Sequence, residues 1–149
     1  MLFSAPANEI GEWVAAHGGG FQHPGSYTAL GYAHEGVLKG GITWSHYNGR
    51  HCLCNIAIDN AGRMPRPLIL AGLHYSFHPS QLALRRLTFL VASANIRSQS
   101  MVRHLGATLE ATLRDADPSG DLLIFALFPE SCQLWKRFDE RLRKPADRT

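Results

Sequence analysis

The chain has 149 residues, 15 Lys and Arg against 12 Asp and Glu, and 45% hydrophobic residues, which bounds it to one soluble domain with a core that needs no disulfide staples. No apolar run is long enough to span a membrane, and the N-terminal MLFSAPANEIGEW lacks the basic start and apolar stretch of a signal peptide, so the cytoplasm is the expected compartment. The net charge of +3 is spread along the chain; it suits an anionic ligand but forms no basic stripe of the kind nucleic-acid binding needs.

Residues Ala5 to Ala16 read as a short helix with Ile10, Trp13 and Val14 on one face, ended by Gly18 to Gly20. The pattern then changes to strands. Tyr27 to Ala33 and Val37 to Ser45 flank a turn at His34, Glu35 and Gly36, and Asn48-Gly49 marks a second turn before Cys52 to Ile58. The helix from Pro67 to Phe77 has proline in its first turn, where a missing N–H does no harm, and Pro79 marks its end.

Leu87 to Asp115 is the densest stretch. Leu87 to Ala92 is apolar on both faces, which suits a strand inside a sheet. Asn95 offers an acceptor for the free N–H groups of a helix start, Met101, Val102 and Leu105 recur at helical spacing, and Gly106 supplies the left-handed stop with Arg103 near the negative end of the dipole. Thr108 to Arg114 and Leu122 to Phe128 follow as a hairpin around the turn DADPSGD. The tail PESCQLWKRFDERLR places Leu134, Trp135, Phe138 and Leu142 on one face of an amphipathic helix, which must dock on its own sheet or on a partner subunit. The order gives an α+β protein with a central mixed, mostly antiparallel sheet, one domain over residues 1–143 and a polar tail over 144–149.

The segment around Asn95 and Gly106 resembles the GNAT acetyltransferase family. HCLCNIAID (His51 to Asp59) looks like the family's central strand, AGRMPRPLILAGLHYSF (Ala61 to Phe77) like its acetyl-CoA loop and the following helix, and LEATLRDA (Leu109 to Ala116) is similar to its glutamate-then-arginine hairpin. The wording, down to Ser131 and Cys132, most resembles short acetyltransferase-like proteins encoded in phage genomes, and the resemblance runs over about three quarters of the chain. It implies a GNAT-like fold, acetyl-CoA as cofactor, and transfer of an acetyl group to a primary amine. Cofactor contacts are then expected from the backbone at Ile58 and Asp59, from Arg63, Met64 and Arg66, and from Asn95, Arg97 and Ser98.

Two departures accompany it. Pro65 and Pro67 each remove an amide donor from the loop that cradles phosphate in the family, leaving Gly62 with Arg63 and Arg66 as compensation. Counting from Asn95, many family members place a glutamate base five residues upstream and a tyrosine acid seven residues downstream; here those positions are Leu90 and Val102. Glu35, His51, Asp59, His74 and Tyr75 are the substitutes near the expected cleft, each with a competing structural role as a turn, surface or packing residue, so no catalytic residue is assigned.

Three cysteines are an odd number, and Cys52 and Cys54 share one face of a strand as small buried hydrophobes. Cys-x-Cys lacks the spacing of a structural zinc site, and His74 and His78 sit at i, i+4 with Pro79 against the second, so no metal is expected. Two functions follow: an N-acetyltransferase acting on an amine of a small molecule, protein N-terminus or lysine, or a GNAT-like fold without catalysis that serves as a structural or protein-binding module, within a phage particle or against a host protein, with the C-terminal helix as the partner or homo-oligomer contact. The sequence leaves the acceptor amine unidentified.

Overall fold

A computed structural model describes residues 2–3, 7–17, 27–59 and 64–145. The elements in chain order are β1 (Leu2–Phe3), α1 (Ala7–His17), β2 (Tyr27–His34), β3 (Val37–Ser45), β4 (His51–Ile58), α2 (Arg66–Phe77), β5 (Arg86–Ala92), α3 (Ile96–His104), β6 (Thr108–Asp117), β7 (Gly120–Leu127) and α4 (Gln133–Arg143). Among the described residues the strands form one sheet in the order β1-β2-β3-β4-β5-β7-β6. Every neighbouring pair is antiparallel except β4 and β5, which are parallel and joined through α2, as a parallel pair requires a crossover. The α+β, mostly antiparallel sheet expected from the sequence is the one observed.

Alternation divides the sheet into two faces. Cys52, Cys54 and Ile56 of β4 and Leu87, Phe89 and Val91 of β5 pack with Leu68, Leu73 and Phe77 of α2, Val102 of α3 and Trp135 of α4 in the main core. On the opposite face Ile10 and Val14 of α1 pack on Ala29 and Ala57. Close approach there needs a bare backbone: a Cβ on Gly41 would run into the Val14 side chain.

Local signals account for most boundaries. Asn95 caps α3, its Oδ1 accepting the Ser98 N–H at 3.1 Å. At the other end Gly106 sits at φ 104°, while its N–H donates to the Arg103 carbonyl at 3.0 Å and the Ala107 N–H to the Val102 carbonyl at 3.0 Å. This is the pair of bonds that closes a helix on a left-handed residue. Any side chain on Gly106 would collide with the Ser131 carbonyl.

The structure corrects four expectations. The first helix is described over Ala7–His17 and so runs one residue past Ala16, while its expected start at Ala5 and the stop at Gly18 to Gly20 lie outside the described residues. The closing hairpin is tighter than DADPSGD suggests: β6 continues to Asp117 and β7 starts at Gly120. The Asp117 carboxylate accepts from the Ser119 N–H and hydroxyl at 3.0 and 2.6 Å, and Asp115 takes up the ladder irregularity at φ 55°. The C-terminal helix does not start at Pro129; residues Pro129–Ser131 make one 3-10 turn and α4 begins at Gln133. Finally, Leu2 and Phe3 pair with Tyr32 and Gly31 as a short strand that had no periodic signal.

Candidate functional site

The parallel ladder of β4 and β5 runs from His51 opposite Arg86 to Cys54 opposite Phe89 and stops there, although both strands continue. The strands therefore fork at their C-terminal ends. Strand geometry fixes which backbone groups face the fork. The Asp59 N–H donates to the Lys39 carbonyl at 2.8 Å, so odd residues of β4 pair with β3 and those of Ile56 and Ile58 point toward β5. On the other arm the Ser93 N–H donates to the Asp121 carbonyl at 2.9 Å, so Leu90 faces β4 by the same alternation. The Asp59 amide, expected to face a cofactor, is spent on β3, and the β4 amides that point toward the fork are those of Ile56 and Ile58.

Cys54, Asn55, Ile56, Phe89, Leu90, Asn95, Ser98, Met101 and Val102 line the fork. They come from both faces of the sheet, so the opening passes through it: Cys54, Ile56 and Phe89 lie on the helix-covered face, Asn55 and Leu90 on the other. The fork is narrow, about 20 Å³, room for roughly one water. Met101 also borders a second, far larger groove of about 800 Å³ between α2, α3 and α4. Its floor is apolar (Met64, Ile69, Leu134, Phe138) and its rim carries Arg66, His104, Arg137 and Arg141.

Of the expected cofactor residues, Asn95 and Ser98 line the fork and Met64 and Arg66 line the groove beside it. Ile58 ends β4 at the mouth and Arg97 is exposed on the first turn of α3, whereas Arg63 lies outside the described residues. Leu90 and Val102, at the base and acid positions the resemblance implies, both line the fork. Among its described lining residues the one ionisable group is Cys54, 2% exposed, whose thiol burial pushes well above its ordinary range.

None of the substitute proton carriers lines the fork. Glu35 occupies the β2–β3 turn at φ 51° with an 86% exposed side chain. His51 lies at the closed end of the β4–β5 ladder, where its Nε2 is 2.7 Å from the Thr88 hydroxyl; Arg86 donates to the same oxygen at 2.9 Å and to Glu110 at 2.8 Å. Burial, then the charge of Arg86, then His46, lower the pKa of His51. The Asp59 carboxylate pairs with Lys39 at 3.2 Å. His74 stacks on His78 at 4.5 Å and meets Trp135 and Phe138 edge-on, so it belongs to the α2–α4 contact; burial, and then His78, lower its pKa. Tyr75 donates to the Thr28 hydroxyl at 3.1 Å and packs edge-on against Trp44. Among the described residues no three His, Cys, Asp or Glu gather in a set able to hold a metal ion.

The sequence reading missed Ile56, His104, Arg137 and Arg141. Arg137 and Arg141 had a signal, the i, i+4 spacing on the last helix, but nothing in the sequence showed that α4 lies alongside the groove.

No protein-family model and no curated protein matches the chain by sequence. Solved structures match it by shape. A mutant form of spermidine N-acetyltransferase SpeG from Vibrio cholerae superposes with a TM-score of 0.67 at 14% identity, over 96% of this chain and 99% of that one. The same enzyme in complex with CoA and spermine gives 0.67 and 14% over 88% and 96%. A probable acetyltransferase gives 0.59 and 21% over 70% of this chain; this chain spans only 63%, less than two thirds, of that protein's length. At such identities the likeness is one of architecture, and with the forked parallel pair it establishes that this chain has the GNAT acetyltransferase fold.

Proposed function

We propose that the chain is an N-acetyltransferase that moves an acetyl group from acetyl-CoA to a primary amine of a small molecule, a protein N-terminus or a lysine. The observation that carries this reading is the fork. A parallel pair that separates after Cys54 and Phe89 offers the backbone of Ile56, Ile58 and Leu90 to an extended, amide-bearing arm, as a missing strand would be bound. The residues present fit the chemistry of the cofactor: main-chain groups left unpaired by the sheet at the fork, next to an apolar groove rimmed with cations. That a protein of this fold holds CoA and spermine supports the same assignment.

Acetyl-CoA held there would supply an activated thioester for acylation of a neutral amine, its thiol being released. The chain's part is positioning. Backbone N–H groups of the fork face the region where charge develops on the carbonyl oxygen. Arg66, with Arg63 and Met64, is assigned to the pyrophosphate, and Asn95, Arg97 and Ser98 to the cofactor arm. Ser98 carries the one hydroxyl among the described residues that line the fork and is the side-chain donor for the departing thiolate. With no titrating base in the fork, the amine must arrive neutral or lose its proton to water, so kcat/KM follows the acceptor's own pKa.

Titration calorimetry with acetyl-CoA tests the reading. Saturable binding, weakened by R63A and R66A together, is expected. An absence of binding heat at millimolar cofactor overturns it. A second reading has one observation in its favour: a fork whose lining holds no ionisable group except the deeply buried Cys54. In that reading the chain is a binding or structural module of a phage particle. The apolar face of α4 is then not the free contact surface, because Trp135 and Phe138 already pack against α2. Turnover of acetyl-CoA with any amine, measured as thiol release, excludes this reading; cofactor binding without turnover across an amine panel supports it. The enzyme reading places the chain in the cytoplasm, where acetyl-CoA is found.

A further inference from the structure

The groove between α2, α3 and α4 holds a charge arrangement that the fork does not explain. Leu134, Arg137, Phe138 and Arg141 lie at i, i+3, i+4 and i+7 on α4 and all line it, as does Arg66 from the start of α2. Like charges at i, i+4 weaken a helix, and α4 shows how such a charge is met elsewhere: Arg143 pairs with Asp139 at 2.9 Å. Arg137, Arg141 and Arg66 have no carboxylate within ion-pair reach among the described residues, and no described acidic residue lines the groove. A cationic rim over an apolar floor, with no internal counter-charge, is complementary to an anion carrying a flat apolar group.

The direction of α4 places these cations. Trp135 packs on Phe77 and His78 at the end of α2, and Phe138 on His74 one turn earlier. The two helices therefore run antiparallel, and Arg141 is carried toward the start of α2, where Arg66 stands. Met101 borders both the groove and the fork, which sets the two sites side by side.

Resting on the acetyltransferase reading, we infer that this groove seats the nucleotide end of acetyl-CoA and that Arg137 and Arg141 grip the phosphate on its ribose. The covalent order of the cofactor supports the division of labour. Its pyrophosphate lies between the thioester arm and the nucleoside, so an arm in the fork leaves the pyrophosphate beside the loop that ends at Met64 and Arg66. The ribose phosphate then falls farther out, over α4. Pro65 and Pro67 deprive that loop of two amide donors, and α4 supplies from side chains the phosphate contacts that the loop backbone lacks. Adenine, a flat aromatic, would cover Phe138 and Leu134.

The experiment is titration calorimetry on the full chain with CoA and with 3′-dephospho-CoA, which differs only by the ribose phosphate. Wild-type protein should bind CoA about tenfold more tightly than the dephospho form, the scale of charge-assisted hydrogen bonds to one phosphate. Replacing both arginines, R137A with R141A, should abolish that difference by weakening CoA alone. R137K with R141K should keep part of it, and R143A, whose side chain is already paired within α4, should leave it intact. Equal affinity of the wild-type protein for the two ligands overturns the inference while leaving the acetyltransferase reading standing. So does a double variant that loses affinity for both ligands equally, which would mark the arginines as general supports of the groove. Failure of the wild-type protein to bind either ligand overturns both.

Discussion

The two ends of the β4–β5 pair are built from opposite materials. At the closed end the strands stay hydrogen-bonded and a polar network covers the face away from the main core: His51, Thr88 and Arg86, with Glu110 of β6, satisfy one another in a chain of bonds between 2.7 and 2.9 Å. At the open end the ladder stops, the described side chains carry no charge, and the polar groups on offer are the backbone of Ile56, Ile58 and Leu90 with the neutral side chains of Asn55, Asn95 and Ser98. Ionisable residues thus collect where they hold the sheet together, and the opening is left to uncharged groups. The comparison explains why a search for acids and bases along the sequence leads to His51, at the wrong end of the strands.

The sharpest way to disturb this contrast is to place a carboxylate in the open end. Leu90→Glu restores an ionisable group where the fold has room for a base, and its pKa should be raised by the apolar surroundings. Turnover at neutral pH should rise about a hundredfold, the lower range for a positioned general base, and a new limb should appear in the pH profile of kcat/KM. An unchanged profile would show that proton transfer does not limit the reaction.

A smaller effect is expected from the backbone. Ile58→Pro deletes an N–H that faces the fork and that β3 does not use, and should weaken acetyl-CoA binding about tenfold, the worth of one lost bond in a water-poor site. Asp59→Pro deletes the N–H that serves Lys39; its effect should fall on the denaturant midpoint instead of on cofactor affinity. Calorimetry and urea unfolding of the two variants separate the roles.

At the closed end, Thr88→Val removes the hydroxyl that both His51 and Arg86 use. Thr88 is 4% exposed, so a loss of about 1–2 kcal/mol is expected in urea unfolding, with kcat/KM unchanged. A fall in activity at equal stability would tie the closed end to the chemistry.

The smallest effect concerns pH. His51 has its pKa lowered on folding from the ordinary 6.5, so below that value the unfolded chain binds the proton more readily. The stability is fully present above pH 6.5 and declines as pH falls toward the lowered folded value. His74, lowered by burial and His78, acts in the same direction. H51Q and H74Q should each flatten the fall of the unfolding midpoint between pH 7 and 5; a parallel, undiminished fall would assign it to other groups.

How much of this was legible in the sequence varies with the range of the interaction. Strand alternation, the Asn95 cap, the Gly106 stop and the Pro67 start are local, and the structure keeps them within one or two residues. Where the reading erred, hydrogen bonds without a periodic signal decided: the local Asp117–Ser119 contacts shortened the closing turn, and long-range pairing with β2 made a strand of Leu2 and Phe3. The apolar character of Leu90 and Val102 was visible from the start; that both face one slot was not.

By itself, then, the sequence determined the order and type of the elements, because helix and strand signals reside in spacings of two to four residues. It also determined the absence of a base or acid at two positions fixed by their distance from Asn95. Only the tertiary structure decided where the β4–β5 ladder ends, which backbone groups that leaves facing the fork, and which cations surround the groove beside it. These depend on hydrogen-bond register between strands separated by a helix and on the docking of α4 against α2, neither of which is encoded in any local stretch of the chain.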